Sequence, residues 1–168
     1  MSSAAGAADL RDTGRAAIAT YLDQVAPTID PAGIELHVSG EIAGVPVHGY
    51  VDLIDTNGRI IDFKTAKKKP AGIRPDYRLQ VATYKQLAPG ANGVVKLDTL
   101  VKSKTVQVVE QTFVITTADQ RSTQVLYPLA QEGMRIGLYM PNRNSMLCSR
   151  KYCSYANRCE ADFGGCVV

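Results

Sequence analysis

The chain has 168 residues, of which 45% are hydrophobic and 21% are charged, and its formal net charge is +3. This length suits one domain with a substantial core. The composition excludes an intrinsically disordered chain, and no apolar run is long enough to cross a bilayer. Residues 1–9 are small and polar without a targeting signal, so we expect a flexible start and a cytoplasmic protein that does not enter membranes.

The first regular elements in the sequence are a helix and two strands. Apolar residues from Leu10 to Val25 recur at helical spacing, and Pro27 ends the run. Residues 34–42 and 45–53 then alternate between apolar and polar side chains, which is typical of half-buried strands. We therefore expect an antiparallel pair of strands with its turn at residues 43–44.

A third strand and a second helix come next, separated by a basic loop. Residues 55–58 tolerate positive φ, so the chain turns tightly and returns as a strand at 59–64 that pairs with the second strand. Residues 67–75 contain lysine, proline and glycine and predict a loop. Asp76 can then cap a helix that ends at Leu87.

Two more strands and a third helix follow. The strands are predicted at residues 94–101 and 105–115. Thr117 and Gln120 have the spacing of a capping box, which predicts a helix that continues to Ile136.

The last part of the chain is a cysteine-containing tail. Regular structure fades beyond Pro141, and we assign residues 140–168 to this tail. The order of helices and strands predicts an α/β fold, with a mixed central β-sheet flanked by helices. We expect a single domain over residues 1–168.

Two carboxylates and one ammonium group meet at neighbouring strand ends in this arrangement. Asp52 lies at the end of the second strand. Asp62 and Lys64 share one face of the third strand because side chains alternate, and Phe63 points to the opposite face. Such charges are costly to bury without a partner, and Mg²⁺, which takes one or two carboxylates, is the partner that we expect. The alternative is a surface ion pair between Asp62 and Lys64, with Asp52 capping a turn.

Three segments around these residues share the spacing of a known family. They are Gly49-Tyr-Val-Asp52-Leu-Ile-Asp, Ile60-Ile-Asp62-Phe-Lys64-Thr and, on the second helix, Gln80-Val-Ala-Thr-Tyr84. This pattern resembles the RecB-type branch of the PD-(D/E)XK nuclease superfamily, which includes CRISPR adaptation nucleases and the AddB helicase–nuclease subunit. The resemblance implies a restriction-endonuclease-like core and metal-dependent cleavage of DNA.

The resemblance also assigns roles to the residues of the hairpin. It implies that Asp52 and Asp62 bind Mg²⁺ or Mn²⁺, with the main-chain carbonyl of Phe63 as a third oxygen ligand. It makes Lys64 the catalytic lysine. We expect this lysine to orient or deprotonate the attacking water, or to stabilise charge on the phosphate, while the metal supplies Lewis acidity.

Three further residues enter the predicted site by resemblance. Gln80 and Tyr84 match the family's Gln-x-x-x-Tyr motif, and their spacing places both on one helical face. They are expected to support the site and to contact DNA. Glu35 matches a glutamate often present on the strand before Asp52, although Glu41 is a nearby competitor and a salt-bridged surface glutamate is an equal alternative.

One feature of RecB-type nucleases is missing from this sequence. These proteins usually carry a helix with a metal-binding histidine before the hairpin, and often an upstream cysteine. Here the only histidines are His37 and His48, both in predicted strands, where an ordinary strand position is the favoured interpretation. Ile18 stands near the place where the helical histidine is expected.

A run of positive charge directly follows the predicted catalytic strand. Phosphate contacts are a natural role for such a run, and an ordinary solvated surface is the alternative. The predicted DNA-binding residues are Lys67, Lys68, Lys69, Arg74 and Arg78.

The four cysteines all lie in the tail, which indicates a local metal site or local packing. They are Cys148, Cys153, Cys159 and Cys166. The tail resembles the end of RecB-type domains in which three such cysteines and an upstream one hold a [4Fe–4S] cluster. A cluster or zinc is compatible with four thiolates, but reduced structural thiols are favoured because the upstream ligand is absent.

The sequence therefore predicts a metal-dependent DNA nuclease. An exonuclease of recombination, repair or phage DNA processing is the leading hypothesis, with DNA as substrate and a helicase or recombination protein as an additional partner. The alternative is a catalytically impaired nucleic-acid-binding or structural module of a larger helicase–nuclease system.

Overall fold

The computed structural model describes residues 4–103, 105–139, 141–143, 145 and 147–165. The chain divides into two compact units, Met1–Pro128 and Leu129–Val168. The elements in chain order are α1 (Ala4–Gln24), a short 3-10 helix (Ala26–Thr28), β1 (Pro31–Ile42), β2 (Val45–Asp55), β3 (Ile60–Ala66), α2 (Pro75–Leu87), β4 (Val94–Val101), β5 (Gln107–Val114), α3 (Thr117–Arg135) and α4 (Ala156–Phe163).

Five strands form one mixed sheet in the order β1-β2-β3-β4-β5. All neighbours are antiparallel except β3 and β4, which are parallel. A parallel pair needs a crossover connection, and α2 supplies it. The predicted fold class, a mixed sheet flanked by helices, is confirmed.

Two turns shape the first three strands. The turn between β1 and β2 contains Ala43 and Gly44, both with positive φ, as the twist of a two-residue hairpin favours. In the second turn, an Asp55 carboxylate oxygen accepts hydrogen bonds from the backbone N–H groups of Asn57 and Arg59. The Arg59 guanidinium also pairs with Asp55, so this turn is held by a buried carboxylate.

The main core lies between one face of the sheet and α2. It consists of Val38, Ile42, Val51, Ile54, Ile60, Val81, Leu87, Ala88, Ala91, Val95 and Leu97. Asp62 pairs in register with Leu97, and Ile60 pairs with Val95. Asp62 therefore lies on the face of the sheet that α2 covers.

The opposite face of the sheet carries a buried polar group that contacts α1. The Tyr21 hydroxyl donates a hydrogen bond of 2.9 Å to Asp98 Oδ2, and Lys96 Nζ lies 3.2 Å from the same oxygen. Burial raises the pKa of Asp98, and burial together with the Asp98 charge raises the pKa of Tyr21. The Tyr21 ring also meets the Phe63 ring edge-on, with 5.3 Å between centroids. Tyr21 thus joins α1 to both β3 and β4.

The structure corrects several predicted boundaries and caps. Helix α1 begins at Ala4, so residues 4–9 are helical, while residues 1–3 lie outside the described residues. Helix α2 begins at Pro75 with no side-chain cap, and Asp76 pairs with Arg74 instead of capping.

The cap of α3 and the end of the chain also differ from the prediction. Thr116 and Asp119 form the capping interactions of α3, through each other's backbone N–H groups, so the box lies one residue before the predicted pair. The tail contains a short helix, α4, that its irregular apolar pattern did not predict. Among the described residues, no helix is long and apolar enough to span a membrane.

The first prediction concerns the contact between Tyr21 and Asp98. Tyr21→Phe keeps the aromatic contact with Phe63 but removes the hydroxyl that donates to the buried Asp98 carboxylate. We expect the free energy of unfolding to fall by about 1–3 kcal/mol. Urea denaturation measures it, with Tyr50→Phe, at an exposed position, as the matched control. Equal stability of the two variants would contradict this role of the hydroxyl.

Candidate active site

The site forms where strands β2 and β3 separate. Their register contains two pairs, Leu53 with Ile61 and Ile54 with Ile60. Asp52 comes directly before these two residues of β2. Its side-chain Oδ2 accepts a hydrogen bond of 2.7 Å from the Phe63 N–H on β3. A half-buried carboxylate is thereby held at the opening between the strands.

Asp62 supplies a second carboxylate, which is almost completely buried at 1% exposure. It forms an ion pair with Lys64 Nζ. Apart from this ammonium, neither carboxylate oxygen has a hydrogen-bond partner among the described residues. Burial raises the pKa of Asp62 and the Asp52 charge adds to this rise, while Lys64 opposes it. Asp62 therefore has unused acceptor capacity in an environment that disfavours its lone charge.

Helix α2 fixes the position of Lys64 from the other side. Gln80 Oε1 accepts a hydrogen bond of 3.1 Å from Lys64 Nζ, and Gln80 Nε2 donates one of 2.9 Å to the Tyr84 hydroxyl. The Tyr84 ring lies so close to β2 that a Cβ at Gly49 would meet it at 3.2 Å. One continuous chain of polar contacts therefore runs from Asp62 through Lys64 and Gln80 to Tyr84.

Tyr77 is a site residue that the sequence analysis missed. Lys64 Nζ lies over its ring, 4.9 Å from the centroid. Tyr77 precedes Gln80 by three positions and Tyr84 by seven, which are helical spacings that place all three on one face of α2. That spacing was the available signal, because the family motif includes Gln80 and Tyr84 alone.

Glu35 lies opposite Asp52 in the β1–β2 pair but does not join the carboxylates. Its neighbours Ile34 and Leu36 pair with Leu53 and Val51, and Glu35 itself is exposed. Its φ is +49°, a conformation that a residue with a side chain seldom adopts. Within the described part of the chain, no three side chains among Asp, Glu, His and Cys form a metal-binding group.

The histidines occupy outward positions on the β1–β2 hairpin, as expected for ordinary strand residues. His37 and His48 are exposed, and their ring centroids are 6.2 Å apart. Ile18, near the expected place of the family's helical histidine, is 59% exposed. Tyr21 is an α1 side chain that contacts the site strand, through the Phe63 ring.

The predicted DNA-binding residues fall into two groups. Lys67, Lys68 and Lys69 are exposed just beyond β3, and they form no ion pair with any part of the chain that the structure describes. Arg78, in contrast, pairs with Asp119 through both its Nε and Nη2 atoms and lies over the Phe113 ring. Arg74 pairs with the exposed Asp76. The lysines are therefore the freest cations of this set.

Three of the four cysteines lie among the residues that the structure describes. Cys148, Cys153 and Cys159 are half-buried free thiols, and Cys166 lies outside the described residues. An Arg143 Nη2 group lies 3.9 Å from Cys159 Sγ. The iron–sulfur cluster, zinc and structural-thiol interpretations of this tail stay predictions.

The chemistry of the donors at Asp52 and Asp62 fits a hard divalent cation. Mg²⁺ is usually bound by one or two carboxylates and retains several waters, so a third protein side chain is not required. The unused acceptor oxygens of the buried Asp62 carboxylate are the observation that favours a cation here. Asp52 and Asp62 would hold it, and the Phe63 carbonyl remains the predicted third ligand.

Known proteins resemble this chain both in sequence and in fold. The family model described as "PD-(D/E)XK nuclease superfamily" matches residues 2–160. A "Putative exonuclease" from Eubacterium rectale matches with a TM-score of 0.61 and 11% identity, over 88% of this chain and 59% of that one. The crystal structure of SSO0001 matches with a TM-score of 0.54 and 19% identity, over 77% of this chain and 60% of that one.

These matches differ in what they establish. Because their sequence identities are low, the two solved structures show a shared fold and nothing more. This chain spans about three-fifths of each of them. No curated protein sequence matches it. The family model, in contrast, covers nearly the whole sequence.

The second prediction is that Mg²⁺ or Mn²⁺ stabilises the folded protein through Asp62. A cation at about 100 times its dissociation constant should add about 2.7 kcal/mol to the free energy of unfolding. Because burial raises the pKa of Asp62, protons compete with the cation at a higher pH than they would at an ordinary aspartate, so the stabilisation should shrink as the pH falls.

Thermal denaturation with and without metal measures this effect. Asp62→Asn should abolish it, whereas Asp23→Asn, at an exposed position on α1, should retain it. Stabilisation of the Asp62→Asn protein equal to that of the unmodified protein would place the cation elsewhere.

Proposed function

Because the chain belongs to the PD-(D/E)XK nuclease superfamily, we propose that it hydrolyses phosphodiester bonds of DNA with the help of Mg²⁺ or Mn²⁺. The observation that carries this proposal is the Asp62–Lys64 pair at the opening between β2 and β3, with Asp52 beside it. Two carboxylates fit a cation and an adjacent ammonium fits a phosphate. This set of groups suits metal-assisted phosphodiester hydrolysis.

Each residue of the site has a definite task in this mechanism. Asp52 and Asp62 would hold the cation, which would supply Lewis acidity at the site. Lys64 lies beside them, where its ammonium orients the attacking water or stabilises the charge that develops on the phosphate. The carboxamide of Gln80 keeps the ammonium in place, and the Tyr84 hydroxyl orients that carboxamide.

Exonuclease action on DNA is the form of the activity that we propose. It is supported by the fold shared with a protein described as a putative exonuclease, and by the resemblance of the site segments to RecB-type nucleases. On the same grounds we propose a role in recombination, repair or phage DNA processing. On the basis of the same resemblance to RecB-type nucleases, we propose a helicase or recombination protein as a partner.

A catalytically impaired DNA-binding or structural module of a helicase–nuclease system is the second candidate. It is favoured by one observation: among the described residues, no histidine joins the two carboxylates, and α1 presents Tyr21 to the site strand. DNA binding without metal-dependent cleavage would identify this alternative.

The third prediction tests cleavage directly. End-labelled linear DNA should be degraded in the presence of Mg²⁺ or Mn²⁺, circular DNA should persist, and EDTA should stop the reaction. Asp62→Asn and Lys64→Ala should each slow cleavage by about 100-fold or more, because each removes electrostatic assistance that acts in the transition state.

Two conservative controls accompany this assay. Asp23→Asn and Lys151→Ala change the same residue types at exposed positions and should leave the rate unaltered. Circular dichroism establishes that all variants are folded. If both site variants kept more than about a tenth of the rate, the assignment of Asp62 and Lys64 would be wrong.

The fourth prediction concerns the exposed lysines after β3. Replacing Lys67, Lys68 and Lys69 by glutamine should weaken DNA binding regardless of base sequence. The slope of log affinity against log salt should fall in magnitude by about 2 to 3, since each lost phosphate contact contributes about 0.7–0.9. Fluorescence anisotropy at several salt concentrations measures the slope.

A matched triple variant shows whether the position of the charges matters. Arg11, Arg15 and Arg121 are exposed on helices α1 and α3, and their replacement by glutamine removes the same charge. Equal changes of slope in the two triple variants would mean that the lysines act through net charge and not through phosphate contacts.

A further inference from the structure

The ammonium of Lys64 is held by three groups of different chemistry. It pairs with the Asp62 carboxylate, donates to Gln80 Oε1 at 3.1 Å, and lies over the face of the Tyr77 ring at 4.9 Å from the centroid. A lysine ammonium has three N–H donors. Two of its contacts are with oxygen atoms and the third is with the face of a ring, in a setting where the Lys64 side chain is only 17% exposed.

A cation at the site changes the balance among these contacts. Once a divalent ion is bound by Asp62, the carboxylate carries less net negative charge towards Lys64, and the ion itself repels the ammonium. The attraction of the Tyr77 ring does not depend on that carboxylate, because it arises from the negative face of the aromatic ring. Gln80 and Tyr77 are then the contacts that keep the ammonium from turning away.

The Tyr77 ring is well fixed for this task. It is half-buried and packs against the hydrophobic core, although it belongs to the first turn of α2. The exposed Arg74 guanidinium lies 5.0 Å from the centroid of the same ring. Tyr77 thus stands between the buried site lysine and a surface cation.

We propose that Tyr77 is a positioning residue for the reaction: the face of its ring holds the Lys64 ammonium at the carboxylates when a metal ion is bound. The inference rests on the proposed nuclease function. It assigns the effect to the aromatic ring and not to the hydroxyl group. The ring acts through Lys64, whereas Asp52 and Asp62 act on the cation.

The fifth prediction compares Tyr77→Phe, which keeps the ring, with Tyr77→Leu, which removes it. With saturating Mg²⁺, the leucine variant should have kcat reduced by about five- to thirty-fold, the range of a cation–π contact in a partly desolvated site. Its KM for DNA should change by less than about two-fold, since substrate binding is not its task. The phenylalanine variant should stay within about two-fold of the unmodified protein in both constants.

A second readout needs no nuclease activity. Lys64 is acetylated with acetic anhydride in the presence of Mg²⁺, and mass spectrometry measures the rate at that residue. Tyr77→Leu should raise the labelling rate by about five-fold or more, because the ammonium is no longer held, and Tyr77→Phe should leave it unchanged. Tyr50→Leu makes the same replacement at an exposed tyrosine on β2 and should have no effect.

The two readouts separate the possible failures. If the unmodified protein does not cleave DNA but Tyr77→Leu exposes Lys64 to labelling, the proposed function fails and the contact stands. If the phenylalanine and leucine variants behave alike in labelling, the ring does not hold the lysine and the inference is overturned. Tyr77→Met, which fills similar volume without a ring, replaces the leucine variant if circular dichroism shows that the latter is unfolded.

Discussion

A carboxylate placed in an apolar environment loses the hydration that stabilises its charge, and the structure around Asp62 is arranged to offset that loss. Asp62 is fully enclosed between the sheet and α2, with Lys64 as its partner. The charge of Lys64 must in turn be satisfied, which draws in Gln80 and Tyr84 from the helix. The packing of α2 on the sheet and the chemistry of the site therefore depend on the same buried pair.

The sheet carries buried carboxylates on both faces, and Phe63 lies between them. Its N–H donates to Asp52 at the site, its ring meets Tyr21 on the opposite face, and its register partner is Asp98. One oxygen of Asp98 accepts a hydrogen bond from Tyr21 and pairs with Lys96, and Asp62 pairs with Lys64. Helix α1 thus supports, through Tyr21, the strand that holds the site.

The sequence could predict the parts of the site that depend on short-range periodicity. Alternation along β3 places Asp62 and Lys64 on one face, and helical spacing places Gln80 with Tyr84, so both pairs follow from local geometry. The ion pair of Arg78 with Asp119 joins residues far apart in sequence, and no local pattern indicates it. The positive φ of Glu35 was also unpredictable, because the residue type does not favour it and the strand pattern is otherwise regular.

The order of the strands in the sheet is also their order along the chain, which has a consequence for how the molecule assembles. The two carboxylates of the site meet across a tight hairpin, so little chain entropy is lost in bringing them together. The contact between Tyr21 and Asp98 closes a loop of 77 residues and costs more. The β2–β3 hairpin with Asp52 and Asp62 can therefore form before α1 packs on the opposite face of the sheet. The effects of substitutions on folding rates would reveal this order. During synthesis, the contact between Tyr21 of α1 and Asp98 cannot form until β4 has been made.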